Sequence, residues 1–559
     1  MLTIGDNVVI GRDAKVATIK YERHHMHLGT ISMKDNVHLQ TMSNVCCNTE
    51  IGRNSVITYS SLVSTGTAVP PSSQVSGVPG TTSPIKPSAL IRTFCRVMSP
   101  YRYAIQLATI NVAINSLTNP LLIAFLADKY MESVCVYDFG PGLVVLATVR
   151  CMLLIGGVVV SLAAKVAVLH ILGRVREGSY HRRSYEFMVI CIKDRIVTSA
   201  GLFLSGTVFW PAWLRWAGMK VGQNCEISTI IEITPELITI EDETFFADVI
   251  HLGGPRFVGD YAIMERIKIG KGTFLGNGVI IPPGSHLSPD ILIGVCSVAD
   301  DKKIYSGSSW FGNPLFELPR REIVLADRSV THNPSTIRYM SRLFWELLRF
   351  TITIPPVLIL LAWYHHLYQQ SQVQNPTVFY YITVPAVSIV SFTILPLVVL
   401  TLKWFLIGRM SAGVHPLWSC WCSRWDFLFV IWGYWAKPVL NVFNGTQILN
   451  VILRLFGVSI GKNVFFHGQK FSQITDPDLL HFEDDTTISC DFQAHTFEDR
   501  VLKNAPLYVR KGATVGGGTV LMYGSDVGQE TVVREHSVVM KNEVIPANSS
   551  FVGCPTREC

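Results

Sequence analysis

The chain has 559 residues, of which 49% are hydrophobic and 16% charged, and its formal net charge is +6. A mean hydropathy of +0.33 is too apolar for an ordinary soluble protein, and the length suffices for several domains. No P-loop, dinucleotide fingerprint or nucleic-acid signature occurs, and the 13 scattered cysteines show neither a disulfide framework nor metal spacing, which fits a reducing compartment.

In residues 1–80 an aliphatic side chain returns every six positions, at Met33, Leu39, Val45, Ile51, Ile57, Val63, Val69 and Val75. Neither a helix nor an ordinary strand has that period. With Gly often following the aliphatic, as in "IGDNVVIG" and "IGRNSV", it reads as the hexapeptide repeat of a left-handed parallel β-helix. Each six is one face of a triangular prism, with the aliphatic inside and Gly or Asn at the tight corner. No cleavable signal opens the chain. His24, His25 and His27 lack the paired Cys or acid spacing of a metal site and read as a solvated loop.

Residues 86–217 are predicted to hold a transmembrane hairpin. "AIQLATINVAINSLTNPLLIAFL" (104–126) and "CMLLIGGVVVSLAAKVAVLHIL" (151–172) each approach the ~20 residues a spanning helix needs. Lys86, Arg92, Arg96 and Arg102 precede them and Arg174, Arg176, Arg182 and Arg183 follow, whereas the linker 127–142 is acidic. Basic flanks put both ends in the cytoplasm. A second prism (218–325) repeats the six-residue period at Ile269, Leu275, Ile281, Leu287 and Ile293. A second hairpin (338–457) has spans near 350–367 and 378–407, with Arg338, Arg342 and Arg349 before it and Lys403 and Arg409 after it. The polar "YHHLYQQSQVQNPT" between its spans has neither Lys nor Arg and reads as their loop. A third prism (458–559) runs through Val509, Val515, Leu521, Val527, Val533, Val539 and Ile545.

Segments 195–217 and 426–456 are rich in Trp but broken by Gly and Pro, and are expected to be interfacial or re-entrant helices. Trp418, Trp421 and Trp425 read as an interfacial aromatic belt. The expected architecture is a multidomain, multi-pass membrane protein: three left-handed parallel β-helix domains alternate with α-helical transmembrane hairpins, and all prisms lie on the cytoplasmic side. Hairpin plus prism is a duplicated unit. The first prism has no hairpin before it, so either its module was lost or the chain is a piece of a longer one.

"PELITIEDET" (235–244) aligns with "PDLLHFEDDT" (477–486), and after a two-residue gap His251 meets His495 and Arg256 meets Arg500. Only the third copy, "QAHTFEDRVLK", places acids between them, so the first two copies are expected to support and the third to react. His251 is read as structural. Glu483, Asp484 and Asp485 could attract a cationic amino acid, but Glu241, Asp242 and Glu243 repeat them, which favours a solvated coil edge.

The segments "LSGTVFWPAWLRWAGMKVG" (204–222), "SSWFGNPLFELPRR" (308–321), "QAHTFEDRVLK" and "HSVVMKNEVIPANSSFVGCP" (536–555) resemble the membrane-embedded C-terminal region of nonribosomal peptide synthetases of the poly-lysine synthetase type. The resemblance implies tandem acyltransferase-like domains that join amino-acyl thioesters to amines. It also implies a phosphopantetheine-linked or CoA thioester donor with no tightly bound cofactor. Adenylation and carrier segments do not occur in this sequence, so the acyl group for a small amine acceptor is expected from a carrier protein or synthetase, either on another polypeptide or in a missing N-terminal part.

Amide formation needs a neutral amine, and a near-neutral base suits the proton transfer. His495 is the candidate base. Asp499 or Glu498 could fix its tautomer or hold a substrate ammonium, and Arg500 could steady an oxyanion or a pantetheine phosphate. The competing reading makes the E-D-R run a surface ion-pair network. On that reading the chain is a non-catalytic membrane scaffold or export component that docks a synthetase. The prisms are expected to form an intramolecular pseudo-trimer in a monomer, with one cleft lined by His495.

Overall fold

The computed structural model describes residues 1–85, 97–133, 143–319 and 326–559. Lys86, Arg92 and Arg96 lie outside the described residues.

The six-residue period becomes short strands joined by tight corners, which stack into parallel sheets. Strands pair with those 18 residues on: Val56 with Gln74, Lys268 with His286, and Thr514 with Val532. Three such stacks occur, one per repeat segment, each built from three sheets. Aliphatics at the period, from Met33 to Val75, Ile269 to Ile293 and Val509 to Ile545, are buried inside them. Many corners use Asn or Gly in the left-handed region, such as Asn36 at φ 58° and Gly272 at φ 68°. An aspartate locks the same corner in each stack. Asp35 accepts from the amide of Asp6 at 2.9 Å, Asp242 from Gln223 at 2.7 Å and Asp484 from Lys462 at 2.6 Å. Asp242 and Asp484 therefore each commit one oxygen to holding one coil to the next.

One coil of each stack is longer than the rest. Neighbouring coils there are 29, 29 and 27 residues apart, because an antiparallel hairpin leaves the stack. The hairpins are Ile19–Glu22 with His25–Leu28, Arg256–Val258 with Tyr261–Met264, and His495–Glu498 with Val501–Asn504. In the second and third stacks a strand that follows the apolar helices, Gly178–His181 or Gly413–Pro416, pairs with the hairpin's far strand.

The stacks touch one another. Their closing loops are hydrogen-bonded in series, with Val78 N–H to Asn313 O at 3.0 Å and Asn313 N–H to Cys554 O at 3.2 Å. Beneath them lies a shared apolar cluster that includes Leu62, Val295, Phe311, Val520 and Val538. Hairpin tips also reach the neighbouring stack. Arg23 N–H of the first donates to Thr514 Oγ1 of the third at 3.1 Å, and Arg500 of the third donates to the Asn224 carbonyl of the second.

Among the described residues three helical stretches, Thr148–Ile171, Arg328–Val373 and Pro376–Leu406, are long and apolar enough to cross a membrane; Pro100–Leu117 and Pro120–Met131 are so only when taken together, and they are bent by 50°, as in a broken span or a re-entrant loop. Pro120 cannot continue the hydrogen-bond ladder, so the expected first span breaks there. The 127–142 linker is helical through Ser133, and its remainder lies outside the described residues. The polar run expected to form a loop at 364–377 is instead mostly helix: one helix continues to Val373 and the next begins at Pro376.

The Trp-rich segments turn one face into the protein, with Trp210, Trp213 and Trp432 at most 4% exposed, and keep an apolar outer face, with Trp216 66% and Ile448, Val451 and Leu455 54–55% exposed. Helices Trp210–Trp216 and Gln447–Phe456 close the first coils of the second and third stacks, whose inward aliphatics would otherwise be uncovered. Each does so with the same device. Arg215 donates to the carbonyls of Val221 and Gly222, and Arg454 to those of Ile460 and Gly461. Buried ion pairs pin other helices to the stacks: Lys193 with Glu236, Lys403 with Asp478, and Arg342 with Glu226 and Glu346.

Candidate active site

His495 is the first residue of the third-stack hairpin, and its side chain is 14% exposed. Its Nδ1 lies 2.5 Å from Asp476 Oδ2. Asp476 has no exposed surface, and its Oδ1 accepts from Trp425 Nε1 at 3.0 Å. This carboxylate sits at the entry to the short turn Pro477–Leu479, where the chain passes from one coil to the next beneath helix Cys420–Ile431. An ionised carboxylate at Nδ1 assigns the proton to that nitrogen and leaves Nε2 as the lone pair. Burial alone would lower the His495 pKa, but Asp476 and the nearby Asp248 carboxylate offset it and raise the value above that of a free histidine.

The walls are aromatic on one side and mixed on the other. Trp425 stands edge to face with His495 at 4.9 Å and with Phe497 at 6.0 Å. Phe497 meets Phe245 of the second stack at 5.8 Å, so the site lies in the seam between two stacks. Asp248, from the second stack, accepts hydrogen bonds from Ser228 and Thr229. His415 stacks on Trp421 at 3.9 Å, and burial lowers its pKa although Asp476 opposes this.

The other residues named from sequence are placed differently. Asp499 and Arg500 are the two tip residues of the hairpin turn, with φ 53° and 59°. Four strand steps, about 13 Å, separate Asp499 from His495. Glu498 faces the opposite side of the strand from His495, since side chains alternate, and it pairs with Lys541 and Lys503. Arg500 is 3% exposed and directed at Glu226 and the Asn224 carbonyl. The group that orients His495 is therefore Asp476, not Asp499 or Glu498, and Arg500 joins two stacks. Asp476 stands opposite Thr234 in the alignment of the copies, an acid specific to the third copy that could have drawn notice.

Trp425 also belongs to the site and not to a lipid-facing belt: it and Trp418 are at most 7% exposed. The matching of His251 with His495 does not survive either. His251 lies in a coil strand paired in parallel with Ile280, whereas His495 lies on the hairpin paired with Asn504. No group of three or more His, Cys, Asp or Glu able to hold a metal occurs among the described residues. The first-stack residues His25, Met26 and His27 sit exposed on its hairpin.

No protein-family model matches this chain. It is similar to Delta-poly-L-ornithine synthetase of Acinetobacter baumannii (strain AB307-0294), at 29% identity over 591 aligned positions that cover 99% of this chain and 43% of that protein. The chain thus spans less than half the length of the relative it matches.

Proposed function

We propose that this chain is a membrane-embedded acyltransferase that forms amide bonds between amino-acyl units, with His495 as its base. The single observation that carries the reading is the buried Trp425–Asp476–His495 chain at an inter-stack seam. A histidine held by a buried carboxylate is a recurrent way to keep one ring nitrogen available as a proton acceptor. Similarity to a poly-amino-acid synthetase supports the reaction class.

The acceptor amine attacks, in its neutral form, the carbonyl carbon of an amino-acyl thioester. A C–N bond forms and the carbonyl oxygen takes up negative charge. His495 Nε2 accepts the proton shed by the amine nitrogen, and Asp476 stabilises the resulting imidazolium. Collapse of the intermediate breaks the C–S bond, and the imidazolium returns the proton to the departing thiolate, leaving amide and thiol. Asp248 on the facing wall supplies a negative charge for a second ammonium on either substrate. The donor is a phosphopantetheine-linked or CoA thioester brought by a carrier protein, and a seam suits its long arm better than a flat face.

The stacks are hexapeptide β-helices of left-handed sense, arranged as an intramolecular pseudo-trimer. Their shared hydrogen bonds support a position on one side of the bilayer for all three, and the basic flanks of the helical hairpins favour the cytoplasmic side. The test is turnover by the purified chain, given an aminoacyl-pantetheine thioester and an amine, with His495→Gln as the comparison. Loss of amide product at unchanged protein yield is expected. Full product formation would leave the scaffold reading in its place.

A further inference from the structure

A second histidine–carboxylate pair lies in the seam between the first and second stacks. His251 Nδ1 is 2.9 Å from Glu232 Oε2, and the two are separated by 19 residues, the same interval as His495 and Asp476. Glu232 holds a left-handed backbone at φ 60°, which non-glycine residues rarely adopt, and Thr41 Oγ1 of the first stack donates to its carboxylate at 3.0 Å. Gly254 passes so close that a Cβ there would lie 2.7 Å from the Glu232 carboxyl carbon. The carboxylate is thus held from three sides, and two donors, Thr41 and the His251 Nδ1–H, converge on it.

That arrangement leaves His251 Nε2 as an acceptor. The residue is 1% exposed, and Nε2 has no hydrogen-bond partner among the described residues. The group it faces is another acceptor: Asp13 Oδ2 of the first stack, at 3.7 Å, beyond hydrogen-bond range. Two acceptors facing each other need a donor between them. Arg12, next to Asp13, is turned to another partner, with its Nη1 paired to Asp194 at 2.5 Å. The Asp13 side chain is 55% exposed, so that end of the pair reaches the surface, while Nε2 itself is covered.

We infer that this seam binds a primary ammonium group, which donates to His251 Nε2 and Asp13 at a site separate from His495. An ammonium has three donors and one charge, which matches two acceptors and an ionised carboxylate. Assigning the bound group to the acceptor amine rests on the reading proposed above; the cation site itself does not. Seen this way, the His495 seam carries out the transfer, and the His251 seam holds the amine end of a substrate or of a growing product.

The test is calorimetric titration of the full chain in detergent with L-ornithine, using L-norvaline as control: it has the same skeleton without the terminal amine, and its α-ammonium carries an adjacent carboxylate that Asp13 and Glu232 repel. Ornithine is expected to bind saturably and norvaline not to bind. Asp13→Asn, which is close to isosteric and largely exposed, is expected to weaken ornithine binding about ten-fold at unchanged thermal stability. His495→Gln is expected to leave that binding in place. Equal binding by norvaline overturns the inference. So does an Asp13→Asn protein that binds ornithine like the parent, as it would if a protonated His251 merely bridged Glu232 and Asp13. If instead His495→Gln still makes product while binding depends on Asp13, the catalytic reading fails and the ammonium site stands.

Discussion

Replacing Asp476 by Asn separates a tautomer-fixing role from simple packing. Two donors converge on this carboxylate, His495 Nδ1 at 2.5 Å and Trp425 Nε1 at 3.0 Å. Asn offers one acceptor oxygen and puts an NH₂ where the other stood. If the oxygen stays with Trp425, the amide hydrogens face Nδ1 and drive the ring proton to Nε2, which removes the lone pair that serves as base. A base lost this way costs on the order of 10²–10⁴ in rate, or about 3–5.5 kcal/mol of barrier. The stability change is smaller. Hydrogen bonds to a charged acceptor are worth about 1.5–3 kcal/mol each, but the variant no longer buries a charge, so the two terms oppose. The pH profile supplies the sharper signature. His495 acts when neutral, and its raised pKa puts the acidic limb of kcat/KM above the position of an ordinary histidine. Removing Asp476 leaves burial as the main influence, so whatever activity remains has its limb at lower pH. Single-turnover assays from pH 5 to 9 with thioester and amine measure both effects. An Asp476→Asn enzyme within three-fold of the parent, with an unmoved limb, would refute the argument.

Other expectations follow from the same contacts. Trp425→Phe keeps the ring but strips Asp476 Oδ1 of its donor, and it should cost about 1–3 kcal/mol of stability by denaturant melts, with a smaller loss of rate than Asp476→Asn. Arg342→Met leaves Glu226 and Glu346 facing each other at the helix–stack junction, and should lower stability by about 3–5 kcal/mol in the same melts. Burial and the Lys15 charge push the pKa of His536, which is bonded to Ser60, down to about 4. The unfolded chain takes up that proton below about pH 6.5, so stability falls as pH drops from there towards 4, by about 1.4 kcal/mol per pH unit, and the difference between parent and His536→Gln in melts across this range reads the slope. On sealed vesicles, protease cuts near residues 270 and 510 should appear from the same face. Cuts from opposite faces would contradict stacks that share hydrogen bonds.

The six-residue period fixed what lies inside each stack before any coordinate was known. A coil with three equal faces admits one inward side chain per face, so Val515 or Ile281 has nowhere else to point. Helix length and apolarity were legible for the same reason, since they are properties of contiguous sequence. The fate of the Trp-rich segments was not. Trp210 and Trp216 belong to one short apolar pattern, and only the uncovered first coil decides that Trp210 turns inward while Trp216 stays 66% exposed. His495 could be picked out because its surroundings in sequence are polar. Its partner could not be found by proximity in the chain: strand alternation turns Glu498 away and the turn carries Asp499 about 13 Å off, while one coil of the stack brings back Asp476 from 19 residues earlier. The sequence specified the repeat and its inward face. Tertiary packing chose which acid meets which histidine, because stacked coils make neighbours of residues set one turn of the stack apart, and adjoining stacks make neighbours of residues hundreds apart.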